Sequence, residues 1–204
     1  MEIRELSVPG AYEVTPKQFG DARGVFLEWF RSDHLADVIG HEMQVRQTNC
    51  SVSAAGVVRG IHFADVPPSQ AKYVTCFTGA VLDVVIDIRV GSPTFGEWDS
   101  VLLDDVDRRA VYVSEGLGHA FMSLQDGSAV AYLCSTPYSP TREHGVHPLD
   151  PEVGVDWPTQ DRTGRPIEPL LSEKDGQAPS LAQAREQGLL PTLDDARRFV
   201  DSLR

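Results

Sequence analysis

The chain has 204 residues, 41% of them hydrophobic and 24% charged. That is the composition of a globular domain with a real core, and it excludes a disordered or fibrous protein. The formal net charge of −12 repels a phosphate backbone, so a general nucleic-acid binder is excluded and an anionic ligand must be caught by a local group of Arg or Lys.

No stretch offers the ~20 mostly apolar residues of a membrane span. The opening residues, Met1 to Glu5, lack the apolar core of a signal peptide, so a cytoplasmic location is expected. Cys50, Cys76 and Cys134 are odd in number and widely spaced, and read as reduced thiols rather than a disulfide framework. Fifteen of the 18 basic residues are Arg. That skew hints at a GC-rich genome and draws attention to each Lys.

Taken in chain order, Asp21-Ala22-Arg23-Gly24 reads as a turn into an edge strand over 25–30. A short helix follows over 33–39, with Ser32 as its cap and Gly40 as its stop. Strands are expected over 43–53, 57–61, 72–78, 81–90, 98–103, 110–113, 120–124 and 129–134, punctuated by Gly, Pro and Asp. The clearest is 81–90. Leu82, Val84, Ile86, Ile88 and Val90 form one apolar face, and Asp83, Asp87 and Arg89 lie on the other, interrupted by Val85. The Pro- and Gly-rich stretch 137–169 is expected to wrap the surface. Two further helices are expected, from Ser180 to Gly188 and from Thr192 onward, the second with Leu193, Ala196, Phe199, Val200 and Leu203 on one face. Many short strands with helices only at the edges indicate an all-β sandwich or jelly roll. No second domain is apparent over 1–204.

Among residues that carry chemistry, Gly56 and His62 begin the pattern of a metal-binding cupin, Gly-x5-His-x-His. The second His position holds Ala64, however, and no Glu follows before Lys72. His62 with His119 is a poor zinc or iron site, and no metal is expected. Arg59, His62 and Lys72 can instead gather on neighbouring strands, a grouping that suits an anion or an enolate. Tyr132 reads as a core tyrosine or as a general acid opposite His62. Ser172 to Asp175 reads as a helix start or a solvated charge run.

These pieces together resemble the nucleotide-sugar epimerases of the dTDP-4-dehydrorhamnose 3,5-epimerase family. The matching stretches are Phe19 to Gly24, Val58 to Phe63, Ala71 to Val74, Asp87 to Gly96, Gly118 to Phe121, Tyr138 to Pro140 and Leu171 to Asp175. The resemblance implies a cupin-like double-stranded β-helix, or jelly roll, over about 19–175. The C-terminal helical extension 176–204 belongs to the same domain. It implies a homodimer that works without metal or cofactor on a dTDP-4-keto-6-deoxyhexose. By the resemblance, His62 is the base, Asp175 its support, Tyr132 the opposing acid, and Lys72 the stabiliser of the enolate oxygen. Arg23 and Arg59 hold the diphosphate, and Phe26, Glu28 and Tyr138 the thymine. Arg23, Phe26 and Glu28 come from the partner subunit. Gln47, Asn49, His119 and Lys174 line or border the substrate pocket. Asp83 is a supporting carboxylate, for His119 or for His62.

Ala64, where the rhamnose-pathway enzymes usually have Gln, the loop that follows it, and Cys50 look more like the branch that serves antibiotic deoxysugars. The expected reaction is therefore inversion of C3 of dTDP-4-keto-6-deoxy-D-glucose, with inversion of both C3 and C5 as the alternative. A 3,4-ketoisomerase, a metal-dependent cupin oxygenase and a non-catalytic sugar-nucleotide binding module are more distant rivals.

Overall fold

The computed structural model describes residues Met1–Arg204. In chain order the strands are β1 (Glu2–Glu5), β2 (Ala11–Thr15), β3 (Gln18–Asp21), β4 (Gly24–Leu27), β5 (Gln47–Ser53), β6 (Val58–Ala64), β7 (Lys72–Thr78), β8 (Ala80–Ile86), β9 (Trp98–Asp104), β10 (Ala110–Val113), β11 (Gly118–Ser123), β12 (Ser128–Cys134) and β13 (Glu143–Gly145). The helices are α1 (Ser32–Ile39), α2 (Glu173–Gly176), α3 (Leu181–Glu186) and α4 (Leu193–Asp201). A six-stranded sheet runs β1-β2-β10-β7-β12-β5, and a five-stranded sheet runs β13-β6-β11-β8-β9. All pairings between named strands are antiparallel. The fold is the expected jelly roll, with its small helices mainly C-terminal.

Three apolar clusters explain why so many strands are hydrophobic on both faces. Val74, Cys76, Val81, Val85, Phe121 and Val130 fill the space between the sheets. Ile61, Phe63, Val84, Ile86, Ala120 and Met122 form the back of the five-stranded sheet, covered by Trp157, Leu181, Ala184 and Leu190. Tyr73, Tyr112 and Leu133 form the back of the six-stranded sheet, covered by Leu35 and Ile39 of α1. Each sheet thus has both faces dry over much of its area, and burial of apolar surface at roughly 25 cal/mol per Å² drives the layering. The alternation in β8 acquires a direction here. Its all-apolar face turns outward under the C-terminal wrap, and its mixed face, with Asp83, turns into the barrel.

Several expected elements shift. The strand expected over 81–90 ends at Ile86, because the Asp87 carboxylate closes a turn by accepting from Arg89, Ser92 and Thr94. The strand expected from 43 begins at Gln47; before it, the backbone holds the sheet only by Arg46 N–H donating to the Cys134 carbonyl at 2.9 Å. The strand expected over 25–30 is shorter, Gly24–Leu27, and forms with β3 a two-stranded ribbon outside both sheets. Helix α1 starts one residue early. Arg31 occupies its cap position, without a side-chain cap bond, and Ser32 is its first helical residue. Gly40 ends it in the left-handed conformation, as expected. Ser180 and Thr192 cap α3 and α4 through their side chains.

One irregularity positions the site. Between β6 and β11 the paired residues are His62 with His119, then Arg59 with Phe121. Strand β6 therefore has one extra residue at this point, a bulge. In a regular strand, residues three apart point to opposite faces. The extra residue brings Arg59 and His62 to the same inner face, while Val58 and Ile61 share the outer one. Gly60 makes this possible: its φ is +120°, and a Cβ there would lie 2.5 Å from the His119 carbonyl oxygen. Gly60→Ala should therefore cost roughly 1–3 kcal/mol of stability, seen as a lower urea midpoint. An unchanged midpoint would show that the strand accommodates a side chain there.

Candidate active site

A cleft of about 530 Å³ opens between the two sheets. Its walls follow from register. On the six-stranded sheet, Asn49, Tyr132 and Val74 face one another across β5, β12 and β7, and Gln47, Cys134 and Lys72 form the next row. Tyr132 packs against the inner core, so both rows point into the barrel. On the opposite sheet the bulged strand β6 supplies Arg59 and His62.

The third wall comes from the C-terminal part of the chain. Leu170 pairs with Val57 in a parallel bridge. Leu170 N–H donates to the Gly56 carbonyl at 2.8 Å, and Val58 N–H donates to the Leu170 carbonyl at 3.0 Å. This strap leads into α2, which Ser172 caps by accepting from Asp175 N–H at 3.0 Å. The single turn of helix aims Asp175 at the imidazole: His62 Nε2 lies 2.7 Å from Asp175 Oδ1.

The protons in this pair can be assigned. Burial pulls the Asp175 carboxyl up, but the His62 hydrogen bond and charge, the Ser172 hydroxyl and the Gly60 backbone outweigh it. The net effect holds the carboxyl below the ordinary 3.8. An ionised carboxylate only accepts, so Nε2 of His62 carries the hydrogen and Nδ1 keeps the basic lone pair.

Opposite stands Tyr132. Burial, reinforced by the Cys134 thiol, pushes its phenol above 10.0, so it holds its proton at neutral pH. Burial pushes the Lys72 ammonium below 10.5, opposed by Cys134, Glu143 and Asp83. The cleft thus opposes an aspartate-supported base to a phenolic acid, with a cation beside them.

Nine of the expected residues line this cleft together: Gln47, Asn49, Arg59, His62, Lys72, Tyr132, Tyr138, Lys174 and Asp175. Gln47 links two of them, accepting from Tyr138 N–H at 2.8 Å and donating to Asn49 Oδ1 at 2.9 Å. His119 and Asp83 do not line it. They are buried deeper in the barrel, on the same inner face as His62, and bound to each other, Nε2 to Oδ2, at 2.8 Å. Asp83 therefore serves His119 and Asp175 serves His62. Arg23, Phe26 and Glu28 lie away from the cleft. Arg23 pairs with Asp21 and Glu28 with Arg31, and Phe26 is 66% exposed.

Sequence reading missed Gln70, Glu143 and His144 on the rim. Glu143 Oε1 accepts from Ser139 N–H at 3.2 Å, and His144 Nε2 lies 2.7 Å from Asp65 Oδ1. The only signal was a Glu-His pair in a proline-rich wrap, whose three-residue strand is too short for periodicity to show. No cluster of three or more His, Cys, Asp or Glu side chains is placed to hold a metal ion.

A jelly roll whose inner cleft sets a carboxylate-supported histidine against a buried phenol defines an enzyme of the proton-moving kind, in which carbon acids are deprotonated and reprotonated. The chain belongs to the dTDP-4-dehydrorhamnose 3,5-epimerase family, whose model matches residues 5–183. A Mycolicibacterium smegmatis dTDP-4-dehydrorhamnose 3,5-epimerase is 59% identical over 204 residues, covering 100% of this chain and 98% of that one. The structure of the Mycobacterium tuberculosis rmlC epimerase superposes with a TM-score of 0.96 at 56% identity, covering 100% of both chains. That of ChmJ, a 3'-monoepimerase from Streptomyces bikiniensis in complex with dTDP-quinovose, superposes with a TM-score of 0.92 at 47% identity and 98% coverage of both. The chain is thus a sugar epimerase, an isomerase by class.

Two outcomes test the pair. Ser172→Ala removes a helix cap and should cost about 1 kcal/mol, read by urea unfolding. Because the Asp175 carboxyl is held below its unfolded value, its contribution to stability is present above pH 3.8 and lost as the pH falls below it. His62→Asn should flatten that acid limb; an identical limb in both proteins would show that the pair does not set the Asp175 titration.

Proposed function

We propose that this chain inverts C3 of dTDP-4-keto-6-deoxy-D-glucose by enolisation. The observation that carries the reading is the His62–Asp175 pair and Tyr132 on opposite walls of one cleft, with Lys72 in the row next to Tyr132. The 4-keto group acidifies the C3 proton. Nδ1 of His62 takes that proton, and the electron pair moves into an enolate. Asp175 stabilises the imidazolium that results, as a fixed carboxylate does for a charged imidazole. The Lys72 ammonium supports the developing negative oxygen as a point charge. Tyr132 returns a proton to the other face of C3, and the inverted ketone forms. The imidazolium and phenolate then re-equilibrate with water. No metal or cofactor has a part in this scheme.

Arg59 and Lys174 are assigned to the diphosphate end, and Tyr138, Gln47 and Asn49 to the rest of the ligand. His119, held by Asp83 on the inner face beside His62, supports the cleft from deeper in the barrel. Arg23, Phe26 and Glu28 reach a nucleotide only if a second subunit delivers them. The ribbon of β3 and β4 supports such a homodimer: it stands clear of both sheets with Phe19, Val25 and Phe26 between 51% and 66% exposed, apolar area of the kind that subunit interfaces cover. Light scattering should give twice the monomer mass. A monomer would remove these three residues from the site.

Inversion of both C3 and C5 is the second reading, favoured by the 59% identity to a 3,5-epimerase. C3 alone needs one seating of the sugar against one base and one acid; C5 requires a second. Turnover of the substrate in D₂O separates the two. Deuterium at C3 alone supports the first reading, deuterium at C3 and C5 the second, and none above a no-enzyme control sinks both. His62→Asn should lower kcat by roughly 10²–10⁴-fold, the usual worth of a general base. Activity should also fall on the alkaline side at a pH below 10.5, as Lys72 loses its proton, and Lys72→Arg should move that limb upward. A limb unmoved by the substitution would assign it to another group.

A further inference from the structure

A second cavity, of about 260 Å³, lies between β10, the loop that follows β8, and α4, and shares no residue with the cleft that holds His62. Its anchor is Arg89, 8% exposed. Nε and Nη2 of Arg89 each donate to the Asp87 carboxylate at 2.8 Å, and Nη2 also donates to the Pro9 carbonyl at 3.0 Å. Asp87 is itself fixed by the hydroxyls of Ser92 and Thr94, at 2.6 and 2.7 Å. The guanidinium is therefore locked in place before any ligand arrives. Its remaining nitrogen, Nη1, has no partner and lies at the cavity wall, 3.9 Å from where a Cβ on Gly10 would stand.

Arg197 of α4 faces the same space and makes no ion pair, unlike its neighbour Arg198, which pairs with Asp195. Arg204 borders it too, 3.3 Å from Asp201. Behind them, His41 Nδ1 and the Tyr112 hydroxyl are buried without a well-formed hydrogen bond, both beside the Glu115 carboxyl. The one buried acid of this cavity is Glu115, whose carboxyl burial pushes up toward its neutral form. In a chain of net charge −12, three guanidiniums line this one cavity. Asp87 balances Arg89 and Asp201, itself on the lining, balances Arg204, which leaves Arg197 and the free Nη1 of Arg89 as the donors open to an anion.

We propose that this cavity is a second binding site, for an oxyanion of the phosphate or carboxylate class, with Arg89 as the fixed anchor and Arg197 and Arg204 closing over the ligand. The volume admits a phosphate or a small dicarboxylate, and is below the range that encloses larger organic ligands. The site does not depend on the epimerase reading.

The test is a nuclear magnetic resonance titration of the full ¹⁵N-labelled chain, at constant ionic strength balanced with chloride. Inorganic phosphate is the probe in one series and malonate in another, to separate the two sources of the anion. The expected result is saturable shifts of the Gly10 amide and the Arg89 Nε–H, in at least one series. Arg197 and Arg204 are exposed, so the double variant R197Q/R204Q should keep its spectral dispersion and bind about tenfold more weakly or worse. Shifts that do not saturate, that appear only around His62 and Lys72, or that survive unchanged in the double variant would overturn the site.

Discussion

At Gly60, strand β6 uses one residue more than its partner β11 between the same two paired positions. The active cleft follows from that local excess. Without it Arg59 and His62 would point to opposite sides of the sheet, one into the barrel and one under the C-terminal wrap. With it, the cation and the base share the inner face, and Val58 and Ile61 keep their place in the outer core. A bulge in a barrel wall re-aims side chains, and here it re-aims two at once. The close approach of the His119 carbonyl explains why the extra residue is a glycine.

The second constraint is that both sheets are covered on both faces. The space between them is filled with aliphatic side chains at one end and lined with polar ones at the other. Several polar groups at that open end are paired, Asp175 on His62 and Gln47 on Asn49 and Tyr138; deeper in the barrel Asp83 holds His119 through Oδ2, while its Oδ1 is buried without a partner. A low-dielectric surround strengthens these contacts and also shifts the groups that remain free to react, Tyr132 upward and Lys72 downward. Burial of the inner core and tuning of the reacting groups are therefore the same physical event.

The central strands were readable because period-two alternation survives wherever the two faces of a strand differ in chemistry, as in β8. It fails where they do not. Strand β1, with its burial pattern of mostly exposed positions, and the three-residue β13 left no periodic trace, and Glu143 and His144 were missed with the latter. The grouping of Arg59, His62 and Lys72 was readable from spacing and strand order; Tyr132, which its strand alone left as a core tyrosine or an acid, joined them through the family resemblance. Which aspartate serves which histidine was not readable. Residues 62 and 175 are far apart in the chain, and their meeting depends on a parallel bridge at Leu170 and a single capped turn, features with no sequence period. The turn at Arg23 and the edge strand of Phe26 were readable, but not that they form, with Glu28 just past the strand's end, a ribbon belonging to neither sheet and away from the cleft.

The base and the carboxylate that orients it are separated by 113 positions along the chain. A ribosome adding ~5–20 residues per second completes the last barrel strand, which ends at Gly145, roughly 2–6 s before it delivers Asp175. A nascent chain thus passes through a period in which the cleft has its lysine, tyrosine and histidine but lacks the group that fixes the imidazole. The competent site is assembled from the C-terminal side, late in synthesis, and a message truncated shortly before Asp175 would lose both the group that fixes the base and Leu181, Ala184 and Leu190, which cover the back of the sheet that carries it.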